Sequence, residues 1–197
     1  MMKGRRRGSD LEAALLEAAW EELTDQGYAG LTLESVATRA GTSRPVLARR
    51  WDNKADLAVA AIRQQMTKHP TEVSDRGDLR AELLEYLEQL SRRARGIAVI
   101  FTLFSSEYFR DTESTPQDLR AALRAGGGNT LKTILNRAVE RGEIPGETLS
   151  PPVEDLLDVL FRHHVLMTFS PPPAALRKAW VDTVFLPLVK RHPVRGN

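Results

Sequence analysis

The sequence predicts an all-α protein of about nine helices, in which a small N-terminal domain precedes a larger helical one. Apolar residues recur at spacings of three and four along most of the chain, and no segment alternates apolar and polar residues long enough to form a strand. Hydrophobic residues make up 42% of the 197 residues and charged residues 27%, which is the composition of a folded globular chain. A helical fold without a sheet is therefore expected throughout.

Four short predicted helices follow one another at the N-terminus. The first carries an apolar stripe from Leu11 to Leu23 and ends at Gly27, which tolerates the positive φ of a helix cap. Thr32 is expected to cap the second helix by accepting a backbone hydrogen bond. Asn53 is expected to cap the fourth helix in the same way.

The second and third helices are joined by residues Ala40–Ser43, a pattern that indicates a helix-turn-helix. This motif needs a small residue where its helices cross and a turn residue with positive φ, and Ala40 and Gly41 meet these needs. Pro45 suits the first turn of the third helix, where no backbone N–H is required. The third helix is expected to end at Trp51. Its predicted exposed residues are Ser43, Arg44, Arg49 and Arg50.

Charge is unevenly distributed, although the formal net charge is only +2. Residues 10–34 contain acids and no Lys or Arg, whereas residues 39–54 are basic, with Asp52 as their single acid. Nucleic-acid binding needs local positive potential of this kind. The N-terminal tail adds three more arginines, which we expect to reach the backbone or minor groove of DNA: Arg5, Arg6 and Arg7.

The middle of the chain predicts a cavity for a small hydrophobic effector. Residues 97–109 are apolar nearly all round, which indicates a helix that is buried in a core, lines a cavity, or does both. The next predicted helix, 115–141, is interrupted by Gly126–Gly128, because three glycines cost about 3 kcal/mol in a helix interior. A plain core is an equally open interpretation of the aromatic cluster. The candidate pocket residues are Phe101, Phe104, Tyr108, Asn129 and His164.

Two C-terminal helices, Val153–Phe169 and Ala174–Lys190, are more apolar than a helix with one buried face requires. We therefore expect them to form a homodimer interface. The residues predicted to contribute to it are Leu157, Phe161, Val165, Val181, Val184 and Phe185.

What the chain lacks excludes several classes of function. Without cysteine it has no disulfide, thiol nucleophile or cysteine-bound zinc, which fits a reducing cytoplasm. No signal peptide or membrane span is predicted. His163 and His164 point about 100° apart on a helix and do not form a metal-binding pair. We interpret them as core or interface residues, or as polar groups in a pocket. No cofactor, metal site or catalytic constellation is expected, so an enzyme such as a small helical hydrolase is disfavoured.

The N-terminal pattern resembles that of the tetracycline-repressor (TetR) family. The match lies between residues 9 and 60. It consists of Gly27-Tyr28, Leu31-Thr32-Leu33, Val36-Ala37, Ala40-Gly41-Thr42-Ser43, Val46-Leu47, Arg50-Trp51, Asn53-Lys54 and Leu57.

The resemblance implies a cytoplasmic all-α homodimer whose last two helices form the interface and whose middle helices enclose the pocket. It also implies that Thr32 and Lys54, at the starts of helices, contact DNA phosphates. Ala48 stands where the family usually has a tyrosine that contacts a phosphate, so that contact is either absent or made by other residues, for which Arg49 and Arg50 are the candidates. The complete predicted DNA-binding set is Arg5, Arg6, Arg7, Thr32, Thr42, Ser43, Arg44, Pro45, Arg49, Arg50, Trp51 and Lys54.

These features together predict a ligand-responsive repressor that binds double-stranded DNA as a homodimer, at a pseudo-palindromic operator with recognition helices about 34–36 Å apart. The predicted DNA-binding domain is 1–57, and the ligand-binding and dimerisation domain is 58–197. An activator, or a regulator without a ligand, is the alternative within this class. A helical interaction module without DNA binding is the alternative from another class, and specific, saturable binding to duplex DNA separates the two.

Overall fold

The computed structural model describes residues 8–104, 108, 115, 117, 121 and 128–190. Over these residues the backbone forms helices and their connections, and it contains no strand. The predicted all-α class is therefore confirmed. None of the described helices combines the length and the apolar composition of a membrane span.

The described residues form two compact units. The first unit comprises those within Met1–Lys68 and Val99–Ala125, and the second comprises those within His69–Ala98 and Gly126–Asn197. This division differs from the predicted boundary at 57/58, because the helix that follows the helix-turn-helix packs against the first helix and so belongs to the first unit.

The first unit is built from four complete helices, which share one apolar core with residues 99–103 of the fifth helix and Tyr108. The four helices are α1 (Ser9–Gly30), α2 (Leu33–Arg39), α3 (Arg44–Ala48) and α4 (Lys54–Lys68). Leu15, Leu31, Leu47 and Leu57 are fully buried, one from each of these helices or its edge. Gly27 has φ 66° and kinks α1 where the sequence predicted its end, so one further turn follows the glycine.

The second unit contains the larger set of helices. They are the first part of α5 (Leu79–Phe104), α6 (Thr130–Glu140), a 3₁₀ turn (Gly146–Thr148), α7 (Pro151–Glu154), α8 (Leu156–Thr168), α9 (Ala174–Ala179) and α10 (Leu186–Val189). A π-helical segment, Trp180–Phe185, joins α9 to α10. The residues of the predicted break at 126–127 lie outside the described residues.

Several helix boundaries differ from those predicted, and among them α3 ends at Ala48 rather than at Trp51. The predicted helices that begin at Leu79 and Ile97 form one helix, α5, because the only breaker between them is a single glycine, which a helix tolerates at a cost of about 1 kcal/mol. The predicted helix from Val153 begins two residues earlier and breaks at Asp155. The last helix widens before Pro187, since proline cannot donate the next helical hydrogen bond and its ring clashes with the carbonyl four residues earlier.

A buried carboxylate ties the second unit together. Glu82 is fully buried on α5 and accepts a hydrogen bond from the backbone N–H of Arg76 at 3.0 Å. Arg141, at the end of α6, lies 3.2 Å from the same carboxylate. Burying a charge is costly unless it is paired, so the Glu82 carboxylate favours a structure in which both partners contact it. It thereby connects the residues before α5 to the end of α6.

Candidate nucleic-acid interface

The turn between α2 and α3 is a closed Schellman motif. Gly41 has φ 65° and its N–H donates to the Thr38 carbonyl at 3.1 Å, while the Thr42 N–H donates to the Ala37 carbonyl at 2.9 Å. These bonds satisfy the last carbonyls of α2 and fix the direction in which the chain enters α3. The turn residue predicted from the sequence therefore adopts the positive φ that the motif requires.

The start of α2 is fixed by a reciprocal cap. The Thr32 hydroxyl accepts from the Ser35 N–H at 2.9 Å, and the Ser35 hydroxyl accepts from the Thr32 N–H at 3.2 Å. This confirms Thr32 as the cap, with Ser35 in the place that glutamate or glutamine often takes. Ser43 occupies the cap position of α3 but makes no side-chain cap bond, so its exposed hydroxyl is available to a ligand.

The α3 region presents a basic face. Leu47 is fully buried beneath it, whereas Arg44, Arg49 and Arg50 are exposed. Arg50 donates to the Val46 carbonyl at 3.0 Å and so lies along the helix. In the described part of the chain Arg44 and Arg49 have no ion-pair partner. Their guanidinium groups therefore supply the local positive potential of this face.

The other predicted DNA-binding residues fall into three groups. Thr32, Ser43 and Pro45 are exposed and Thr42 is half-buried near them. Lys54 is half-buried, with its ammonium 4.4 Å from the centre of the Tyr28 ring. The tail arginines, at 5–7, lie outside the described residues.

Trp51 is the exception in the predicted set. Its side chain is 8% exposed and belongs to the apolar core of the first unit. A ring packed in this way offers little surface to a DNA strand. We therefore assign Trp51 to packing beneath the interface rather than to the exposed face itself.

Arg39 lies in the basic stretch of the sequence but is neutralised in the structure. Its guanidinium contacts Glu22 at 2.7 Å, Asp25 at 3.0 Å and Glu21 at 3.4 Å, all on α1. Hydrogen bonding to Glu22 is the main reason that the pKa of Arg39 is raised, with smaller contributions from the other two acids. The acids of α1 therefore connect α1 to α2. They also compensate the charge of Arg39, which does not contribute to the positive potential of the basic face.

Of the predicted pocket residues, Phe101 and Tyr108 lie in the first unit, whereas Asn129 and His164 lie in the second. Tyr108 is fully buried against Tyr28 in the first unit. His164 lies on α8 with its ring 6.0 Å from that of Trp180. Phe101 is half-buried, and the Phe104 side chain lies outside the described residues.

Asn129 does line a cavity. Two cavities of the second unit, of about 170 and 260 Å³, both include Asn129 and its neighbour Thr130. Tyr86, Asp155 and Asp158 line the smaller one. The lining of this smaller cavity is polar.

The predicted dimer residues require a correction. Five of the six are fully buried: Leu157, Phe161, Val165, Val181 and Phe185. They are buried because the most apolar stripe of each helix packs into the core. Only Val184 is exposed. The exposed apolar side chains on these helices lie at neighbouring positions: Val159, Leu166, Met167, Phe169, Val184 and Leu188.

A capped helix-turn-helix with exposed arginines, followed by a helical domain, defines the class of one-component DNA-binding regulators. Family comparison agrees with this class. Residues 15–61 match the model described as "Bacterial regulatory proteins, tetR family", and residues 73–184 match "Tetracyclin repressor-like, C-terminal domain". The chain belongs to the TetR family of transcriptional regulators, whose members are DNA-binding proteins rather than enzymes.

Individual proteins show the same similarity over nearly the full length. The DNA-binding transcriptional repressor TetR of Mycobacteroides abscessus is 29% identical, over 93% of this chain and 96% of that protein. Among solved structures, the fatty acid degradation regulator FadR of Bacillus halodurans superposes with a TM-score of 0.66 at 15% identity, over 98% of this chain and all of that one. The multidrug binding protein EbrR, solved with proflavin, superposes with a TM-score of 0.54 at 21% identity, over 91% of this chain and 99% of that one.

Proposed function

We propose that the chain is a ligand-responsive transcriptional repressor that binds a pseudo-palindromic operator as a homodimer. The observation that carries the DNA-binding part is the exposed face of Arg44, Arg49 and Arg50 on the element that follows the Schellman turn. Arginine binds guanine O6 and N7, or a phosphate, through two parallel hydrogen bonds. The similarity to a repressor over nearly the whole chain supports repression rather than activation.

Operator binding is tested by selecting genomic fragments and measuring their affinity at physiological salt. We expect Arg44→Ala to cost about 1–3 kcal/mol, with the loss confined to particular operator positions, because Arg44 reads a base edge. Arg63→Ala is the matched control, since Arg63 is exposed on α4 outside the α3 face. An equal loss at every operator position would make Arg44 a phosphate contact instead. If the wild-type protein prefers no genomic fragment to random DNA, the proposal is wrong.

The homodimer is supported by the exposed apolar side chains of α8 and the last helix. The exposed apolar residues of α8 are Val159, Leu166 and Met167. Leu166 lies seven positions after Val159 and Met167 lies eight positions after it, so the three share one side of α8, with the exposed His163 between them. Val184 and Leu188 are four residues apart. A second copy would cover both stripes and would supply the second recognition helix that a two-half-site operator needs.

For the effector we propose a hydrophobic or aromatic small molecule, bound in the C-terminal domain. EbrR, a structural neighbour of this chain, is a multidrug binding protein solved with proflavin, which makes proflavin a reasonable probe. We expect an effector to raise the unfolding temperature of the protein. It should also lower the affinity for the operator, and by linkage the operator should lower the affinity for the effector by the same factor. If proflavin and related aromatic cations change neither quantity, this part of the proposal loses its support while operator binding stands.

A further inference from the structure

Three side chains from three parts of the first unit form a continuous stack. The ammonium of Lys54, at the start of α4, lies 4.4 Å from the centre of the Tyr28 ring. The Tyr28 ring meets the Tyr108 ring nearly edge-on, with 5.3 Å between the ring centres and 72° between the planes. Tyr28 is 2% exposed and Tyr108 is fully buried, whereas Lys54 is half-buried.

Each contact in this stack depends on the relative orientation of the two groups, which nonspecific apolar packing does not. A cation above an aromatic face is attracted by the negative potential of the ring. An edge-to-face pair fixes the orientation of both rings. The flexible four-carbon stem of a lysine loses rotamer freedom when its ammonium is fixed on a partner. A ring that already holds the ammonium in the free protein reduces the rotamer freedom that the lysine loses when it binds the partner.

We propose that Tyr28 is a positioning residue that holds the Lys54 ammonium for a DNA phosphate, and that Tyr108 fixes the Tyr28 ring. This inference rests on the proposed operator binding, in which Lys54 contacts the DNA backbone. An ammonium carries three donors, so contact with the ring leaves it able to donate to a phosphate oxygen as well. Tyr108 is fully buried, so a change in the packing of its ring would alter the Tyr28 ring and, through it, the Lys54 contact.

The first test needs no DNA. Protons near the face of an aromatic ring are shifted upfield by its ring current, so the ε-methylene of Lys54 reports the contact by NMR. We expect the upfield shift to persist in Tyr28→Phe, which keeps the aromatic face, and to be lost in Tyr28→Leu. A Lys54 shift that is unchanged in Tyr28→Leu would overturn the ring contact.

The second test is the salt dependence of operator binding. We expect Lys54→Gln to reduce the magnitude of the salt slope by about 1, the value for one phosphate contact. Tyr28→Leu should weaken operator binding by about two- to tenfold, the range of an ammonium–ring contact, while Tyr28→Phe stays within about twofold of wild type. The double variant Tyr28→Leu/Lys54→Gln should bind no more weakly than Lys54→Gln alone.

The outcomes separate this inference from the function on which it rests. If wild-type protein binds no operator, the proposed function fails. If wild type binds its operator and the effects of Tyr28→Leu and Lys54→Gln simply add, only the positioning role fails. Leu15→Ala is the control for lost stability, because Leu15 is fully buried in the same core, and it should leave the salt slope unchanged.

Tyr108 is tested by the same NMR signal. We expect Tyr108→Leu to reduce the Lys54 upfield shift, because the Tyr28 ring is then free to reorient, and Tyr108→Phe to retain it. Should the leucine variant not fold, Tyr108→Met removes the ring with a more adaptable side chain. A wild-type Lys54 shift in a folded variant without the Tyr108 ring would overturn the second contact.

Discussion

At the residue scale, burial and ion pairing decide which charged side chains are available to bind another molecule. Arg39 and Arg44 are five positions apart in one basic stretch and both are exposed, yet three carboxylates of α1 contact Arg39 while Arg44 has no ion-pair partner among the described residues. The same division separates apolar residues of one helix, since Phe161 is fully buried and Met167 is 67% exposed. The partner of a side chain, more than its type, therefore assigns it to the fold or to the interface.

Asp182 provides a pH-dependent test at this scale. Its carboxylate accepts from Arg80 at 2.6 and 3.0 Å and lies 2.9 Å from the Lys178 ammonium. These contacts, those of Arg80 first, hold the pKa of Asp182 well below its usual value. A carboxylate whose pKa is lowered by folding stabilises the folded state above its unfolded pKa of about 3.9, and this contribution is lost as the pH falls toward the folded value.

We therefore expect Asp182→Asn to lower the unfolding temperature at pH 7, and the difference from wild type to shrink as the pH falls below about 4. Thermal unfolding followed by circular dichroism from pH 7 to pH 2.5 measures it, at one protein concentration. Asp52→Asn, which removes an exposed acid of the first unit, is the control and should change little at any pH. A difference that stays constant across this range would contradict the assignment.

At the element scale, helix ends are determined by backbone chemistry that a few residues impose. Gly41 and Gly142 both adopt positive φ and both close a Schellman motif, at the ends of α2 and α6. Phe169 ends α8 in the left-handed region, φ 51°, where a residue with a Cβ is uncommon. Pro187 has the opposite effect, because it widens its helix into a π segment without ending it.

At the scale of the whole molecule, two recognition helices require two copies of the chain. The exposed apolar side chains of α8 and the last helix are the surface that association would bury. Contiguous apolar surface on a monomer is unusual and marks interaction sites. Because the fully buried residues of the same helices hold the fold, changes at the two sets of positions should have different consequences.

We expect Met167→Glu to convert the proposed homodimer to a monomer at micromolar concentration while the helical content is retained, since a buried carboxylate without a partner is costly at an apolar interface. Leu157→Ala is the contrasting variant, because Leu157 is fully buried in the fold. It should lower the free energy of unfolding by about 2–5 kcal/mol. Sedimentation velocity distinguishes the two, and a dimer that survives Met167→Glu would mean that another surface mediates association.

Local features of the candidate interface could be predicted from the sequence with few errors. Thr32 caps α2, Gly41 takes the positive φ of the turn, and the arginines in and directly after α3 are exposed, because each of these features depends on neighbours within a few positions. Trp51 and Arg39 could not be assigned in this way. Their environments come from α1 and the core, which no spacing within the motif describes.

The sequence by itself determined the fold class, the family and the helix-turn-helix, since helical periodicity, caps and a positive-φ glycine are local properties. Only the tertiary structure decided which face of each C-terminal helix is covered. Leu157 and Val159 are both apolar and lie on one helix, but Leu157 is fully buried and Val159 is 49% exposed. Periodicity shows that a helix has apolar faces, whereas burial depends on which face meets another helix first, and that choice is made by packing between residues far apart in the chain.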